Sequence, residues 1–162
     1  MSREKSRREE IFKKYSKLFG KKRGDDARRW PIFYGFEHDD GWLCIVEELC
    51  EMIQFHTDRK RASDPKFPQP EILQCKEKFG TLRFYISGGD DYINGLIAFA
   101  EKSSARTCER CGGIGKSQKG AWIKVLCDPC NKIRNDEIED RNKQWEEEKI
   151  KQLRELQKNE QS

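Results

Sequence analysis

Two pairs of cysteines dominate the last third of this chain: Cys108-Glu109-Arg110-Cys111 and Cys127-Asp128-Pro129-Cys130, with fifteen residues between the pairs. Two residues between cysteines let both sulfurs of a tight turn reach one tetrahedral ion, and the connection has a length typical of four-cysteine zinc sites. The sequence therefore predicts one structural zinc ion bound by Cys108, Cys111, Cys127 and Cys130. Four thiolates leave no open coordination position, so this zinc is not expected to be catalytic. Disulfides and an iron site of similar geometry are the alternatives.

The residues around the cysteines predict a small module. Gly112 and Gly113 follow the first pair, where a tight turn needs unusual backbone angles. A short strand over 122–126 leads into the second pair, which opens a long helix over 128–158 with Pro129 in its first turn. A cysteine turn, a hairpin and a helix that starts in the second pair resemble the treble-clef class of zinc modules.

Upstream of the module, the apolar pattern predicts helices and one hairpin. Helices are expected over 2–18, 41–56 and about 91–103, because apolar residues recur there at helical spacing. Between the last two, residues 72–87 alternate in polarity around Gly80, which predicts a β-hairpin. We therefore expect an α+β fold with two amphipathic helices on a β-hairpin, a treble-clef-like four-cysteine zinc module and a long polar C-terminal helix. The apolar residues of that last helix do not keep one heptad register and give only weak support to a coiled coil.

The hairpin carries the most unusual surface pattern. In its first strand Leu73, Cys75 and Phe79 are expected to face the core. Lys76, Lys78, Arg83 and Tyr85 are then expected on the solvent face, a basic surface with one aromatic residue that suits phosphate contact and base stacking. An ordinary solvated strand face explains the same pattern equally well.

Charge is segregated along the chain although the formal net charge is only +4. Residues 1–30 hold 12 Lys and Arg against 5 Asp and Glu, residues 31–103 hold 8 against 13, and residues 104–132 hold 6 against 2. We therefore expect a basic helical arm over 1–29, an α+β core over 30–103, a zinc module over 104–131 and a charged C-terminal helix over 132–162. Locally dense basic charge favours a polyanionic partner.

Other patterns bear on location and catalysis. No apolar run is long enough to cross a membrane and no secretory signal is visible, so we expect a cytoplasmic protein with reduced thiols. The only histidines, His38 and His56, lie far upstream of the cysteines, whereas nucleases of the His-Asn-His type need them within the zinc module. We find no catalytic constellation and expect no enzymatic activity. His38-Asp39-Asp40 could bind a hard metal ion, but carboxylates that cap a helix explain it better.

Residues 30–131 resemble a set of small proteins encoded by tailed bacteriophages and prophages. The resemblance lies in Lys76-Glu77-Lys78-Phe79-Gly80-Thr81-Leu82-Arg83-Phe84-Tyr85, in Cys108-Glu109-Arg110-Cys111-Gly112, and in Trp122-Ile123 before the second cysteine pair. It implies a phage origin and the cytoplasm of a bacterial host as the context, and it implies no particular mechanism.

Three functions remain open at this point. The first is a phage accessory protein that binds nucleic acid mainly through phosphates, using the N-terminal basic residues and Lys76, Lys78, Arg83, Tyr85, Arg106, Arg110, Lys116, Lys119 and Lys124. The second is an adaptor or inhibitor that docks on a host protein of defence or transcription. The third is a protein that binds a nucleotide signal. The sequence does not indicate an oligomeric state.

Overall fold

We describe residues 3–20, 32, 35–118, 120 and 122–159 of a computed structural model of the chain. Within them the protein is α+β. Its elements are α1 (Arg3–Lys14), a 3-10 helix (Asp40–Trp42), α2 (Leu43–Ser63), β1 (Glu71–Lys78), β2 (Thr81–Ser87), α3 (Asp91–Ser104), β3 (Lys116–Gln118), β4 (Lys124–Leu126) and α4 (Asp128–Asn159). The chain divides into two compact units, Met1–Cys127 and Asp128–Ser162. The four-part division made from charge stays a prediction, and its boundary at residue 29 lies outside the described residues.

The predicted hairpin is confirmed, with β1 and β2 paired antiparallel around a two-residue turn at Phe79 and Gly80. Both turn residues have positive φ, 54° and 76°, which is the backbone of the turn type that matches the twist of paired strands. The predicted inward set was wrong in part, because a bulge between Ile72 and Gln74 adds a residue to β1. Ile72 and Cys75 are therefore the buried residues, Leu73 is only half-buried, and Phe79 is exposed in the turn.

The core lies between the hairpin and two helices. α3 packs against both β2 and α2. The side chain of Asp90 caps α3 by accepting a hydrogen bond from the Ile93 amide, at 3.1 Å. α2 continues seven residues beyond the predicted end at residue 56, since its basic and polar last turns are compatible with a helix on the protein surface. The apolar residues of this part that are buried together are Trp42, Leu43, Val46, Leu49, Cys50, Ile53, Ile72, Cys75, Leu82, Phe84, Ile93 and Ala100.

Both edges of the β1–β2 hairpin are covered. On the β1 side, Glu37 donates its amide to the Cys75 carbonyl and accepts from the Glu77 amide, both at 2.9 Å. On the β2 side, the Leu82 amide donates to the Ser104 hydroxyl at 2.8 Å, and the Phe84 amide donates to a Glu101 carboxylate oxygen at 3.2 Å. The outer backbone groups are thereby satisfied without a third strand.

α1 is part of the core and not a solvated arm. Ile11, Tyr15 and Leu18 are buried in the same cluster as the residues of α2 and the hairpin. The Ile72 amide donates to the Leu18 carbonyl at 2.7 Å, which ties the end of this segment to the start of β1. Ile11 in α1 and Tyr15 and Leu18 in the turn after it therefore dock part of the predicted basic arm onto the core.

α4, considered by itself, is a highly charged helix of 32 residues. From Asn135 to Gln157 every side chain is exposed, as the polar composition predicts. Lys143 and Glu139 form an ion pair one turn apart, at 2.8 Å. Pairs at this spacing are neighbours on a helix surface, and solvent screens them when they are exposed.

Candidate metal centre and basic hairpin surface

The four predicted cysteines come together. The sulfur atoms of Cys108, Cys111, Cys127 and Cys130 all lie within 4.8 Å of one another, and none of the four forms a disulfide. Cys108 and Cys130 are buried, whereas Cys111 is exposed and Cys127 is half-buried. This arrangement could hold one metal ion, since ligand sulfurs about 2.3 Å from a common tetrahedral centre are separated by comparable distances. Among the described residues, this is the one group of potential ligands with that proximity.

A tight backbone turn presents the first cysteine pair. The Cys108 amide donates to the Gly113 carbonyl at 2.7 Å, and the Gly112 amide donates back to the Cys108 carbonyl at 2.8 Å. Burial by itself would raise the pKa of the Cys108 thiol. Hydrogen bonds from the backbone amides of Cys127, Cys111 and Arg110 outweigh that effect and lower the pKa to about 7. The turn therefore favours the thiolate, which is the form that binds metal ions.

Gly41 lies where the cysteine turn meets the core. Its amide donates to the Glu109 carbonyl at 2.8 Å. A Cβ added to Gly41 would lie 2.3 Å from the Cys108 carbonyl oxygen and 2.5 Å from the Gly112 nitrogen, so only glycine fits. Next to it, the Trp42 indole N–H donates to the Thr107 carbonyl at 2.8 Å. The segment Asp40–Trp42 thus joins the cysteine turn to the core.

Glu109 is a buried carboxylate at the same junction, with a relative exposure of 1%. One of its oxygens accepts from Lys124 Nζ at 2.9 Å and from the Asp39 amide at 3.2 Å. Burial raises the pKa of Glu109, against the opposing effect of Lys124. The pKa of Lys124 is also raised: burial would lower it, but the hydrogen bond that Lys124 donates to Glu109 and the charges of Glu109 and Asp39 dominate.

These contacts give Lys124 a structural partner. Its ammonium group also lies 3.2 Å from an Asp39 carboxylate oxygen, so two acids surround the one cation. Lys124 was predicted to belong to a phosphate-binding surface. No role was predicted for Glu109. A glutamate between two zinc ligands is usually solvated, and nothing in its spacing indicated that it would be buried.

The register of β1 and β2 brings the predicted basic residues of the hairpin onto one face. Lys76 lies opposite Arg83, and Tyr85 lies opposite Gln74 two pairs further along, on the same face. Lys76 Nζ is 5.9 Å from the centre of the Tyr85 ring, and Lys78 Nζ is 5.4 Å from the centre of the Phe79 ring. Arg83 donates to Thr81 and Leu82, both at 2.7 Å, and lies 3.8 Å from a Glu101 carboxylate oxygen.

The other predicted basic residues are spread over the cysteine module. Arg106, Arg110 and Lys116 are exposed. Lys119 lies outside the described residues. Lys124 is paired inside the protein, so it does not extend the face formed by Lys76, Lys78, Arg83 and Tyr85.

Basic residues of α1 and of the turn after it lie close to acidic residues of α2 and of the 3-10 helix before it. Arg7 and Lys14 pair with Glu47 at 3.5 and 3.2 Å, Lys17 pairs with Asp58 at 3.1 Å, and Arg8 pairs with Asp40. Arg8 also donates to the carbonyls of Phe36 and His38. Four cations of the basic N-terminal segment thus have acidic partners within the protein. Their contact with a polyanion stays a prediction.

His38-Asp39-Asp40 forms neither a metal site nor a side-chain cap. The His38 ring is buried between Phe36 and Trp42, with ring centres 5.5 and 5.8 Å away, and burial lowers its pKa. Asp40 and Asp39 are engaged with Arg8 and Lys124. Asp39 precedes the 3-10 helix without a side-chain capping bond.

Comparison with protein-family models, with curated proteins and with solved structures gave no match. Among the described residues, no helix combines the length and apolar character needed to span a membrane.

Proposed function

We propose that Cys108, Cys111, Cys127 and Cys130 bind one structural zinc ion in a treble-clef-like module. The proximity of the four sulfurs supports a metal ion, and an all-cysteine ligand set favours zinc in a structural role. The thiolate-favouring turn at Cys108 supports the same conclusion. The zinc would stiffen the module, and we propose no catalytic role for it.

We further propose that the protein is a non-enzymatic accessory protein, of the phage context that the resemblance implies, and that it binds nucleic acid mainly through phosphates. The observation that carries this proposal is the outward face of the hairpin. Among the described residues, neither Lys76 nor Lys78 has a carboxylate within 4.0 Å, while Arg7, Arg8, Lys14, Lys17 and Lys124 all do. Two cations without a carboxylate partner on one exposed face can neutralise neighbouring phosphates of one strand.

A salt titration with matched variants tests this proposal. Binding to duplex and single-stranded oligonucleotides is measured by mobility shift between about 50 and 200 mM salt, where each neutralised phosphate contributes about −0.9 to the log–log slope on duplex DNA. The double variant Lys76→Ala, Lys78→Ala should bind more weakly and with a shallower slope. The control Lys66→Ala, Lys102→Ala removes the same charge from exposed positions outside the hairpin and should bind as the parent protein does.

Two outcomes contradict the proposal. One is the absence of any shift at the lowest salt concentration with micromolar protein. The other is an equal loss of binding in both double variants, which would mean that only net charge matters.

A second candidate function is docking on a host protein, and exposed apolar side chains favour it. Phe55 on α2 and Tyr92 and Phe99 on α3 are largely exposed. Exposed aromatic residues are enriched at protein interfaces. This surface is separate from the hairpin face, so Phe55→Ala, Phe99→Ala should abolish capture of a specific host protein and leave oligonucleotide binding unchanged. Capture that survives both changes would contradict this candidate.

A further inference from the structure

We infer that the tip and the outer face of the β1–β2 hairpin form a stacking platform for the bases of single-stranded nucleic acid. The platform consists of Phe79 in the turn and Tyr85 on the outer face, with Lys78 and Lys76 beside them, and Trp122 flanks the tip. This inference rests on the proposed nucleic-acid function and narrows its ligand to unpaired strands.

The first reason for this inference is the backbone conformation and exposure of Phe79. It occupies the first position of the two-residue turn with φ of 54°, a backbone region that bulky residues rarely adopt and that favours Asn or Gly. Its ring is nevertheless 73% exposed, so the side chain gains little from burial in return. A residue that is unfavourable for the turn and adds little to the core is explained by a contact outside the protein, because backbone strain concentrates at functional sites.

Trp122 joins the same tip from the connection between β3 and β4. Its ring is 64% exposed, and its indole N–H donates to a Glu77 carboxylate oxygen at 2.8 Å. The other Glu77 oxygen accepts from the Gly80 amide at 2.7 Å. Glu77 therefore holds both the turn and the indole, and its two oxygens are occupied by donors within the protein.

The cysteine module also determines the position of this connection. A Cβ added to Gly80 would lie 2.9 Å from a methyl carbon of Ile123, so the turn and the β3–β4 connection are in close contact. β4 then leads directly to Cys127. Trp122 is thus held between the hairpin and the strand that leads to Cys127, a proposed metal ligand. This gives the exposed ring a fixed orientation.

The pairing of rings with lysines distinguishes nucleic acid from protein as the ligand. Lys78 lies over Phe79, and Lys76 lies over Tyr85. Lysine is depleted at protein interfaces. Proteins that bind single strands instead combine basic grooves along the backbone with aromatic rings on which bases stack. A phosphate near each lysine would bring its base toward the neighbouring ring.

The exposed ring faces also distinguish a single strand from a duplex. Bases in a duplex already stack on one another, so their faces are closed to a protein ring. Unpaired bases offer both faces, and each base stacked on an aromatic ring strengthens binding by roughly five- to 150-fold. Rings would add nothing to a surface that contacted duplex phosphates alone.

Substituting the turn residue tests the platform without endangering the fold. Phe79→Asn removes the ring and supplies a residue that the turn favours, so folding and metal content should be retained. Its affinity for a labelled oligothymidylate, measured by fluorescence anisotropy, should fall about tenfold, whereas its affinity for a duplex of equal length should change little. Phe79→Trp retains a ring and should bind the single strand as the parent protein does.

Phe99→Ala is the matched control, because Phe99 is 75% exposed on α3, outside the hairpin. It should bind the oligothymidylate normally. If Phe79→Asn binds that strand as well as the parent protein does, or loses duplex affinity equally, the platform is wrong and the phosphate-binding function stands. If the parent protein binds neither ligand at low salt, the proposed function fails and the platform fails with it.

Discussion

The two hairpins of this protein are stabilised in different ways. β1–β2 has eight and seven residues in its strands and packs its inner face into an apolar cluster that also includes α1, α2 and α3. β3–β4 has only three residues in each strand, and the described residues between Thr107 and Cys127 contribute none to that cluster. Apolar burial accounts for the first hairpin, whereas the second buries only Val125 and Leu126 of its strand residues, outside that cluster.

The difference indicates that the second hairpin depends on a cross-link near its ends. Two three-residue strands are too short to be stable alone in water. The four cysteines stand at the two ends of this segment, and a metal ion bound there would connect those ends. The folding of the β1–β2 region should therefore be independent of metal, and that of the β3–β4 region should require it.

The largest effect should come from breaking the metal centre. Cys111→Ser should lose the metal and unfold residues 104–127, because structural zinc supplies on the order of 10–16 kcal/mol in small modules. The β1–β2 region should keep its amide protection in hydrogen exchange. Metal analysis of the parent protein should give one zinc per chain. Cys44→Ser, which changes an exposed thiol outside the centre, should retain it. Substoichiometric zinc in fresh protein would contradict the assignment.

The next largest effect on stability should come from removing an apolar side chain from the cluster that holds the β1–β2 hairpin. Leu18→Ala should lower the free energy of unfolding by about 2–5 kcal/mol, since Leu18 is fully buried in the shared cluster and leaves a cavity. Leu153→Ala makes the same chemical change at an exposed position of α4 and should cost little. Denaturant unfolding followed by circular dichroism measures both. If both substitutions lowered the free energy of unfolding equally, the segment around Leu18 would not belong to the core.

A smaller effect should come from the junction between the two regions. Gly41→Ala should lower the free energy of unfolding by about 1–3 kcal/mol, because the new methyl group meets backbone atoms of the cysteine turn. The matched control is Gly95→Ala in α3, where an added Cβ has no atom within 4 Å. This control should stabilise the helix by about 0.5–1 kcal/mol. Thermal unfolding of the two variants should therefore shift in opposite directions, and a common direction would contradict the close contact at Gly41.

The smallest effect concerns the cap of α3. Asp90→Ala should lower the free energy of unfolding by about 1 kcal/mol, the usual cost of losing a helix cap. The hydrogen bond from His56, at 2.8 Å, lowers the pKa of Asp90 below its ordinary value. Ionised Asp90 therefore stabilises the fold above the unfolded-state pKa of about 3.9, and this contribution disappears as the pH falls through the folded-state pKa.

Unfolding at several pH values tests this link between charge and the cap. The difference between the parent protein and Asp90→Ala should narrow below about pH 4. Metal-dependent unfolding of residues 104–127 should not differ between the two proteins. A difference that is constant down to strongly acidic pH would show that the charge of Asp90 is irrelevant.

Short-range patterns made much of this fold predictable. The spacing of the cysteines indicated the four-sulfur cluster, and the alternation around Gly80 indicated the hairpin, because both features are fixed by residues close together in the chain. The bulge after Ile72 was not predictable. One extra residue changes which side chains of the strand point to the core, and it leaves the composition of the strand almost unchanged. Phe79 was assigned to the core because a bulky residue gives no turn signal, although it occupies the first turn position.

Long-range pairing made the rest unpredictable. Arg8 meets Asp40, and Lys124 meets Glu109 and Asp39, across separations that no local pattern encodes. Such cations were predicted to be available for phosphate binding, because their acidic partners lie in other segments of the chain. Glu109 gave no signal of its own, although its position between two ligands could have suggested a contact with whatever the cysteine turn packs against.

The covered edges of the β1–β2 hairpin bear on how the protein behaves at high concentration in a crowded cell. An open strand edge invites strand addition by another chain, which leads to aggregation or amyloid. Here the Glu37 backbone, the Ser104 hydroxyl and the Glu101 carboxylate occupy the groups that a foreign strand would need. Removing the Ser104 hydroxyl would unmask the Leu82 amide and give nascent or partly unfolded copies a template for self-association.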